Sequence, residues 1–252
     1  MRAISGKAPH SEDYFWCRRV GVVADHLNPG GQQFHGDRGA ADPRVTAALA
    51  AYQAGQGSEQ AALTALAATR LLVPVLAVLT NGTATQGDKD SEMMLPKLIG
   101  RDGRPAVIAF TSLDALAQWR SEARPVPAEA DRVWRAAVAD GCAVVIDVAG
   151  PVPLAVEGAR LAALAAGQPV PPPHEDPDVH AEVRAATAAE PAIAGFSLAP
   201  AREDGADLAV TLHLAKKARA SQTGPAVHRV AAGLAARLGT RLRRGIEVIV
   251  AG

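Results

Sequence analysis

The basic side chains near the end of this sequence are the residues whose types and spacing best fit a binding role. Residues 208–246 contain eight lysines and arginines and no acid, whereas residues 175–207 contain eight acids and two bases. A basic face of this kind could hold a phosphate backbone, as in RNA, or an acidic protein. No aromatic residue is interleaved with the cations, which disfavours base stacking and sequence-specific reading of RNA. The candidate face comprises Lys216, Lys217, Arg219, Arg229, Arg237, Arg241, Arg243 and Arg244.

The alternative interpretation of the same residues is ordinary surface charge. The preceding acids of the same domain, or a neighbouring subunit, could neutralise them. The chain has 26 basic and 26 acidic residues, so its net charge of zero gives no global argument for nucleic acid or a membrane. Both interpretations stay open on the sequence alone.

A reactive thiol is the next chemistry to consider, and Cys142 is the residue to test for it. A reactive thiolate needs nearby cations or a helix N-terminus to lower its pKa. Cys142 instead enters an apolar strand directly after a predicted helix C-terminus, whose dipole disfavours a thiolate. We therefore expect Cys142 to be buried and structural.

Histidines and carboxylates cluster at two places that could suggest a metal. His174 and His180 enclose three carboxylates, a set that could collect a transition metal. The cluster straddles a predicted helix start, however, where acids are favoured by the helix dipole. His26 and His35, with Asp37, are irregularly spaced in loop-like sequence. We expect no metal site at either place.

The sequence contains none of the common catalytic or nucleotide-binding motifs. It has no G-x-x-x-x-G-K-[ST] loop, no G-x-G-x-x-G after a strand, no G-x-S-x-G elbow and no H-E-x-x-H. The expectation is a non-enzymatic protein without a cofactor, which acts through a protein partner or by self-association. The alternative is an RNA- or ribosome-associated accessory factor that uses the basic C-terminal face.

Cysteine use and hydropathy predict the compartment. The two cysteines, Cys17 and Cys142, form no disulfide framework and no zinc spacing, so a reducing cytoplasm is expected. No apolar run approaches the roughly 18–20 residues of a membrane span. Arg2 and Lys7 are not followed by an apolar segment, so we predict no signal peptide.

The elements predicted for the first half are helices and short strands. Asp42-Pro43 and Ser58 are start signals for two helices, and the apolar run 71–79 fits a strand buried on both faces. A loop is predicted at 82–90, followed by strands 93–100 and 105–111 joined by an Asp-Gly turn. Ser112 is predicted to cap the next helix, which has Leu113, Leu116 and Trp119 inward, and an extended link over 123–127 follows. The remaining predicted elements are a helix over 128–140 with Val133, Trp134, Ala137 and Val138 inward, strands 142–148 and 152–156, and a helix over 157–166.

The second half begins after a run of four prolines within 169–173, which favours a semi-rigid polyproline spacer, or alternatively a ligand for an aromatic groove. A helix that starts at Pro177 or Asp178 and extends to about 190 follows. Next come strands 193–201 and 207–215, a helix opened by Gly224-Pro225, and a last strand over 245–252. In the second of these strands Leu208, Val210, Leu212 and Leu214 face the core and His213 faces away.

The predicted organisation is therefore a poorly structured leader at 1–43, an α+β domain at 44–167, a proline-rich linker at 168–176 and a C-terminal α-β-β-α-β domain at 177–252. The elements do not alternate regularly as β-α-β, so the expected class is α+β, with two small domains of largely antiparallel sheets covered by helices.

Three segments carry a resemblance to a known family. LLVPVLAVL at 71–79, KDSEMMLPKLIGRDGRPAVIAFTSLDALAQW at 89–119 and RPVPAEADRVWRAAVADGCAVVIDVAGPV at 124–152 resemble the N-terminal domain of the SseB family, in its actinobacterial form. The resemblance runs from about residue 34 to 167, and an SseB-like C-terminal domain is expected to follow. It implies no catalytic residues, because the family, named for an enhanced serine-sensitivity phenotype, has no established biochemical role. A secretion-translocon protein and a sulfurtransferase share the name, and neither function is transferred.

Overall fold

The computed structural model describes residues 34–251 except 35, 80–90, 95, 101–102, 151 and 202–204, with the backbone alone for 76–79, 91–94 and 220. Several sequence predictions lie outside the described residues. These are most of the predicted leader, His26 and His35, Cys17, and the predicted loop at 82–90.

The described residues form seven helices and ten strands. The helices are α1 (Pro43–Gln53), α2 (Glu59–Ala67), α3 (Leu113–Trp119), α4 (Ala130–Ala139), α5 (Gly158–Ala165), α6 (Pro177–Ala188) and α7 (Ala220–Leu238). The strands are β1 (Arg70–Leu79), β2 (Ser91–Met94), β3 (Lys97–Ile99), β4 (Pro105–Ala109), β5 (Arg124–Glu129), β6 (Ala143–Ile146), β7 (Leu154–Val156), β8 (Ile193–Ala199), β9 (Leu208–Leu214) and β10 (Ile246–Ala251). None of these helices is long and apolar enough to cross a membrane.

Several helices begin at a local side-chain cap, and the caps at Ser58 and Ser112 are those that the sequence predicts. The hydroxyl of Ser58 accepts a hydrogen bond from the backbone N–H three residues later at 3.2 Å, and that of Ser112 does the same at 3.1 Å. The carboxylate of Asp176 accepts from the N–H two residues later at 2.8 Å and caps α6. Each cap satisfies a donor that the first helical turn leaves without a partner.

The described residues separate into two compact units that do not follow the chain continuously. One unit comprises the described residues up to Thr46 together with 66–168, and the other comprises 47–65 together with 169–252. Most of α1 and α2 therefore packs with the C-terminal part. The domain division predicted from the sequence, 44–167 and 177–252, does not contain this grouping. The grouping depends on contacts between residues far apart in the chain, which local sequence patterns do not reveal.

Two sheets form the first unit. In one, β1 lies between β2 and β5 and is antiparallel to both. The other has the order β3-β4-β6-β7, with β4 parallel to β6 and the outer pairs antiparallel. Leu72 and Phe110 exchange two backbone hydrogen bonds of 2.8 Å that tie β1 to the end of β4. The predicted α+β class with mostly antiparallel sheets is confirmed.

Two strand predictions in this unit are wrong. Residues 123–127 are not a link, because β5 pairs with β1 over six consecutive residue pairs. Residues 93–100 do not form one strand, since β2 pairs with β1 whereas β3 pairs with β4. In both cases the deciding partner strand is distant in the sequence.

The predicted inward faces of α3 and α4 are correct except at two positions. Leu116, Val133, Trp134 and Ala137 are buried, but Leu113 is 38% and Val138 47% exposed. At about 100° per residue, the buried positions 133, 134 and 137 share one face of α4, and position 138 falls just beyond the edge of that face. Leu113 instead covers Gly39, where any Cβ would meet the leucine side chain.

The second unit contains a three-stranded sheet of order β10-β9-β8, with β10 parallel and β8 antiparallel to β9. Leu208, Val210 and Leu212 are fully buried in a core that α6 and α7 share, and His213 is exposed, as the alternation predicts, whereas Leu214 at the end of the strand is only half-buried. The start of α7 is predicted wrongly, because the helix begins at Ala220 and includes Pro225.

Candidate partner-binding surface on the second unit

The eight basic residues of the candidate face lie on three consecutive segments of the second unit. Three precede α7, two lie on α7, and three follow it before β10. Their neighbours differ, and the neighbours decide which of the cations can meet a partner.

The two arginines on α7 are paired with acids of the preceding helical segment. Arg229 donates to both carboxylate oxygens of Glu190 at 2.7 and 2.8 Å, and Arg237 donates to Glu182 at 3.0 Å. The hydrogen bonds from Arg229 lower the pKa of Glu190, and those to Glu190 raise the pKa of Arg229. The acids that precede the basic region therefore neutralise part of it within the unit, as one of the two sequence interpretations supposes.

Arg241 is the most deeply engaged of the cations. Its Nε donates to Glu59 at 2.7 Å, and its NH2 group donates to Asp176. Glu59 is 6% exposed and Asp176 is fully buried. Burial opposes the charge of the guanidinium, but the attraction of the two carboxylates outweighs burial and raises the pKa of Arg241.

Arg243 and Arg244 also interact with residues of the second unit. Arg244 donates from Nε to Asp207 at 2.8 Å, and its backbone N–H donates to the same carboxylate at 3.0 Å. The guanidinium of Arg243 lies 4.9 Å from the centre of the Tyr52 ring, a cation–π distance. Charge reversal at Arg241 or Arg244 would thus disturb packing before it reported on any ligand.

Lys216, Lys217 and Arg219 differ from the other five cations. All three are exposed, and none forms an ion pair with a described residue. They directly precede the 19-residue helix α7, where Arg219 takes the N-cap position without a side-chain hydrogen bond to the first turn. We call these three residues the basic triad.

A groove of about 530 Å³ lies beside the basic triad. Lys217, Ser221 and Gln222 line it around the start of α7, and Glu190 and Arg229, which are paired with each other, line it as well. The amino end of a helix carries a partial positive charge and free N–H donors. The geometry therefore suits a carboxylate-bearing ligand that approaches along the start of α7.

The thiol considered in the sequence analysis is buried. Cys142 is 5% exposed, and its Sγ lies 3.5 Å from the carbonyl oxygen of Asp140. A cation is close, since Lys97 donates to the Asp140 carboxylate at 2.7 Å. Burial disfavours the Lys97 charge, but the hydrogen bond to Asp140 and the neighbouring groups raise the pKa of that lysine overall.

The histidines near α6 do not converge on a shared set of carboxylates, although His174 Nε2 lies 3.5 Å from Glu175 Oε1. His180 Nε2 lies 2.8 Å from the backbone oxygen of His174, and Asp176 is committed to Arg241 and to the cap of α6. Within the described ranges, no three His, Cys, Asp or Glu side chains are grouped so that they could hold a metal ion.

A buried polar network in the first unit was missed by the sequence analysis. Asp147, at the end of β6, accepts the backbone N–H of Thr111 at 2.8 Å and its hydroxyl at 2.7 Å. Arg70 donates to the Thr111 carbonyl at 2.8 Å and pairs with Asp37. The only sign of this network in the sequence is an aspartate directly after an apolar strand. The other residues of the network come from three other segments of the chain.

Asp147 combines burial with an unusual backbone. It is 6% exposed and has a φ of 48°, a left-handed value that aspartate tolerates better than most residues. Burial raises its pKa, although the hydrogen bonds from Thr111 act in the opposite direction. The network fixes the carboxyl ends of the parallel strands β4 and β6, and we assign it a structural role.

Comparison with known proteins adds one finding to this geometry. The model of the SseB protein N-terminal domain matches residues 45–163, close to the 34–167 expected from the resemblance. No curated protein matches the chain, and no solved structure matches it. The matched range includes most of α1 and α2, which pack in the second unit, and it ends before the basic triad. Residues 45–163 therefore match the N-terminal domain of the SseB family.

Proposed function

We propose that this chain is a non-enzymatic protein that works by binding another protein, whose acidic segment docks on the basic triad and the adjoining groove. The observation that supports the proposal is the contrast among the eight cations. Five are engaged by Glu190, Glu182, Glu59 with Asp176, Asp207 and the Tyr52 ring, whereas Lys216, Lys217 and Arg219 have no ion pair among the described residues. Exposed cations without partners are available to an incoming anion at little cost in desolvation.

The start of α7 adds to the attraction for an acidic ligand. The first-turn N–H groups receive no side-chain cap from Arg219, and the helix dipole places partial positive charge at the same point. The groove beside them gives room for the side chains that flank a carboxylate. Electrostatic complementarity of this kind raises the association rate and selects the partner more than it adds affinity.

Nucleic acid is the weaker candidate for the same surface. Three cations that form no ion pair with a described residue would release few counterions from a phosphate backbone, and no aromatic residue lies within 216–219 to stack on a base. We further propose a cytoplasmic location, on the grounds of the sparse cysteines.

The test compares two triple charge reversals in affinity capture from native lysate. One is Lys216→Glu/Lys217→Glu/Arg219→Glu. The matched control, Arg38→Glu/Arg124→Glu/Arg184→Glu, makes the same change of charge at exposed positions outside the triad. We expect wild type and the control to retain an acidic protein through nuclease treatment, and the triad variant to lose it.

Two results would contradict the proposal. Equal retention by the triad variant would show that the surface does not bind the partner. Retained material that is nuclease-sensitive and elutes steeply with salt would instead support the RNA-associated alternative. A titration with a fluorescent oligoglutamate peptide, followed by anisotropy at several salt concentrations, gives the same comparison with a defined probe.

A further inference from the structure

The two edge strands of the sheet in the second unit are built differently. β8 and β10 flank β9, and neither pairs with any other strand among the described residues. β8 contains Gly195 and a register shift between Ile193 and Gly195, an irregularity that interrupts its edge. β10 pairs with β9 over six consecutive residues without a break. An unbroken edge presents a row of N–H and C=O groups that can pair with another strand.

The composition of β10 contains nothing that would prevent another strand from pairing with this edge. Its sequence, IEVIVA, has four β-branched residues, one charge, no lysine and no proline. Val250 is 46% exposed. Exposed edges that stay unpaired in natural proteins are usually interrupted by lysine, proline or a bulge. β8 has such an interruption and β10 does not, which indicates that β10 is covered.

We infer that β10 pairs with β10 of a second copy of this chain, antiparallel across a two-fold axis at Ile249. A two-fold axis makes two copies of one strand antiparallel, and the pairing joins two three-stranded sheets into one of six strands. In this register Ile249 lies opposite Ile249 of the second copy, and Val248 lies opposite Val250. β-branched pairs of this kind stabilise antiparallel strands.

Charge selects this register over its neighbour. With the axis at Ile249, the two Glu247 positions are four residues apart along the strands, about 14 Å at the rise of an antiparallel strand. That separation exceeds the screening length of about 10 Å at 0.1 M salt. An axis at Val248 would bring the two glutamates within two residues of each other on the same face. The edge is thus self-complementary in apolar contacts and free of close like charges in only one of the two registers.

This inference goes beyond the binding proposed above and does not depend on it, because β10 shares no residue with the basic triad. If β10 does not pair, the proposal for the basic triad is unaffected, and the reverse also holds. The dimer interface also requires no partner other than the chain itself.

The sheet offers a matched pair of positions for the test. Ile249, Thr211 and Ser197 lie in one row across the sheet and on one face, with Ile249 on the β10 edge and Ser197 on the β8 edge. Ile249→Lys places a charge on the proposed interface, and Ser197→Lys places the same charge on the opposite edge. Sedimentation velocity of the full chains over a concentration series then reports the oligomeric state.

We expect wild type and Ser197→Lys to sediment as dimers of twice 25.9 kDa, and Ile249→Lys as a monomer. Far-UV circular dichroism checks that each variant is folded. A wild type that stays monomeric at about 100 µM, where pairing with a Kd near 1 µM would be almost complete, would overturn the inference. So would an Ile249→Lys variant that dimerises like wild type.

A crosslink tests the register without relying on a disruptive variant. In a Cys17→Ser background, Ile249→Cys would bring two thiols together across the axis, because opposed residues of antiparallel strands have Cα atoms about 4.5–5.5 Å apart, within disulfide range. We expect a covalent dimer on mild oxidation of Ile249→Cys and none for Ser197→Cys. The reverse result, or no crosslink for either, would reject the pairing.

Discussion

Arg241 donates from Nε to Glu59 Oε2 across 2.7 Å, although the two residues are separated by 182 positions in the chain. The same guanidinium reaches Asp176 at the cap of α6. Tyr52 reinforces the connection, since its hydroxyl donates to the backbone oxygen of Thr240 at 2.8 Å. These contacts make α1 and α2 integral to the unit that contains the C-terminal sheet.

Removal of the Arg241 charge tests this connection. Arg241→Met keeps most of the apolar stem but leaves the buried carboxylates of Glu59 and Asp176 without their cation. We expect the free energy of unfolding to fall by about 3–5 kcal/mol in urea titrations, the usual cost of breaking a buried ion pair from one side. Arg243→Met is the control: it loses only a cation–π contact and should cost about 1 kcal/mol. Equal losses for the two variants would contradict the assignment.

The grouping of 47–65 with the C-terminal part predicts the behaviour of fragments. Residues 169–252 alone lack Tyr52 and Leu63, which are 1% and 0% exposed in the whole chain. A single-chain version with 47–65 joined through a Gly/Ser linker to 169–252 should unfold cooperatively at a higher urea concentration than 169–252 alone. Leu63→Asp in the joined version should abolish the gain. If the two fragments unfold at the same concentration, the helices do not belong to this unit.

Asp147 predicts a pH dependence of stability with a definite sign. Burial raises its pKa above the ordinary 3.8, so the folded state holds the proton more tightly than the unfolded state. Its contribution to stability is therefore complete below pH 3.8 and declines as pH rises through the raised value. Asp147→Asn keeps a side-chain acceptor for Thr111 and tolerates the left-handed backbone, but it does not ionise. The stability of Asp147→Asn relative to wild type should therefore increase with pH over this range.

Urea titrations of both proteins at intervals between pH 4 and pH 8 measure that difference. Asp147→Ala serves as the contrasting variant. It leaves the buried N–H of Thr111 without an acceptor and tolerates a φ of 48° poorly, so it should be about 2–4 kcal/mol less stable than Asp147→Asn at every pH. A difference between Asp147→Asn and wild type that stays flat with pH would show that Asp147 does not titrate as its burial requires.

Features that depend on neighbouring residues were predictable from the sequence. The caps at Ser58, Ser112 and Asp176 act within three residues, and alternation along β9 correctly separates the buried leucines from His213. The buried state of Cys142 follows in the same way from the apolar strand it enters. The family resemblance also needs only the order of segments along the chain.

Features that depend on distant partners were not predictable. A proline-containing extended segment has the same sequence pattern as a link or as a strand, and only pairing with β1 makes 124–129 a strand. Eight cations in one region are all Lys or Arg, yet the Arg241 side chain is 12% exposed and pairs with two acids, whereas Lys217 lines a groove.

The sequence by itself thus determined the class of the fold, most element positions and the resemblance of the first part of the chain to the SseB N-terminal domain. Only the tertiary structure decided which helices join the C-terminal unit and which basic residues are ion-paired within it. The physical reason is that caps and periodicity act through local backbone geometry, whereas burial and ion pairing depend on which distant segments approach one another.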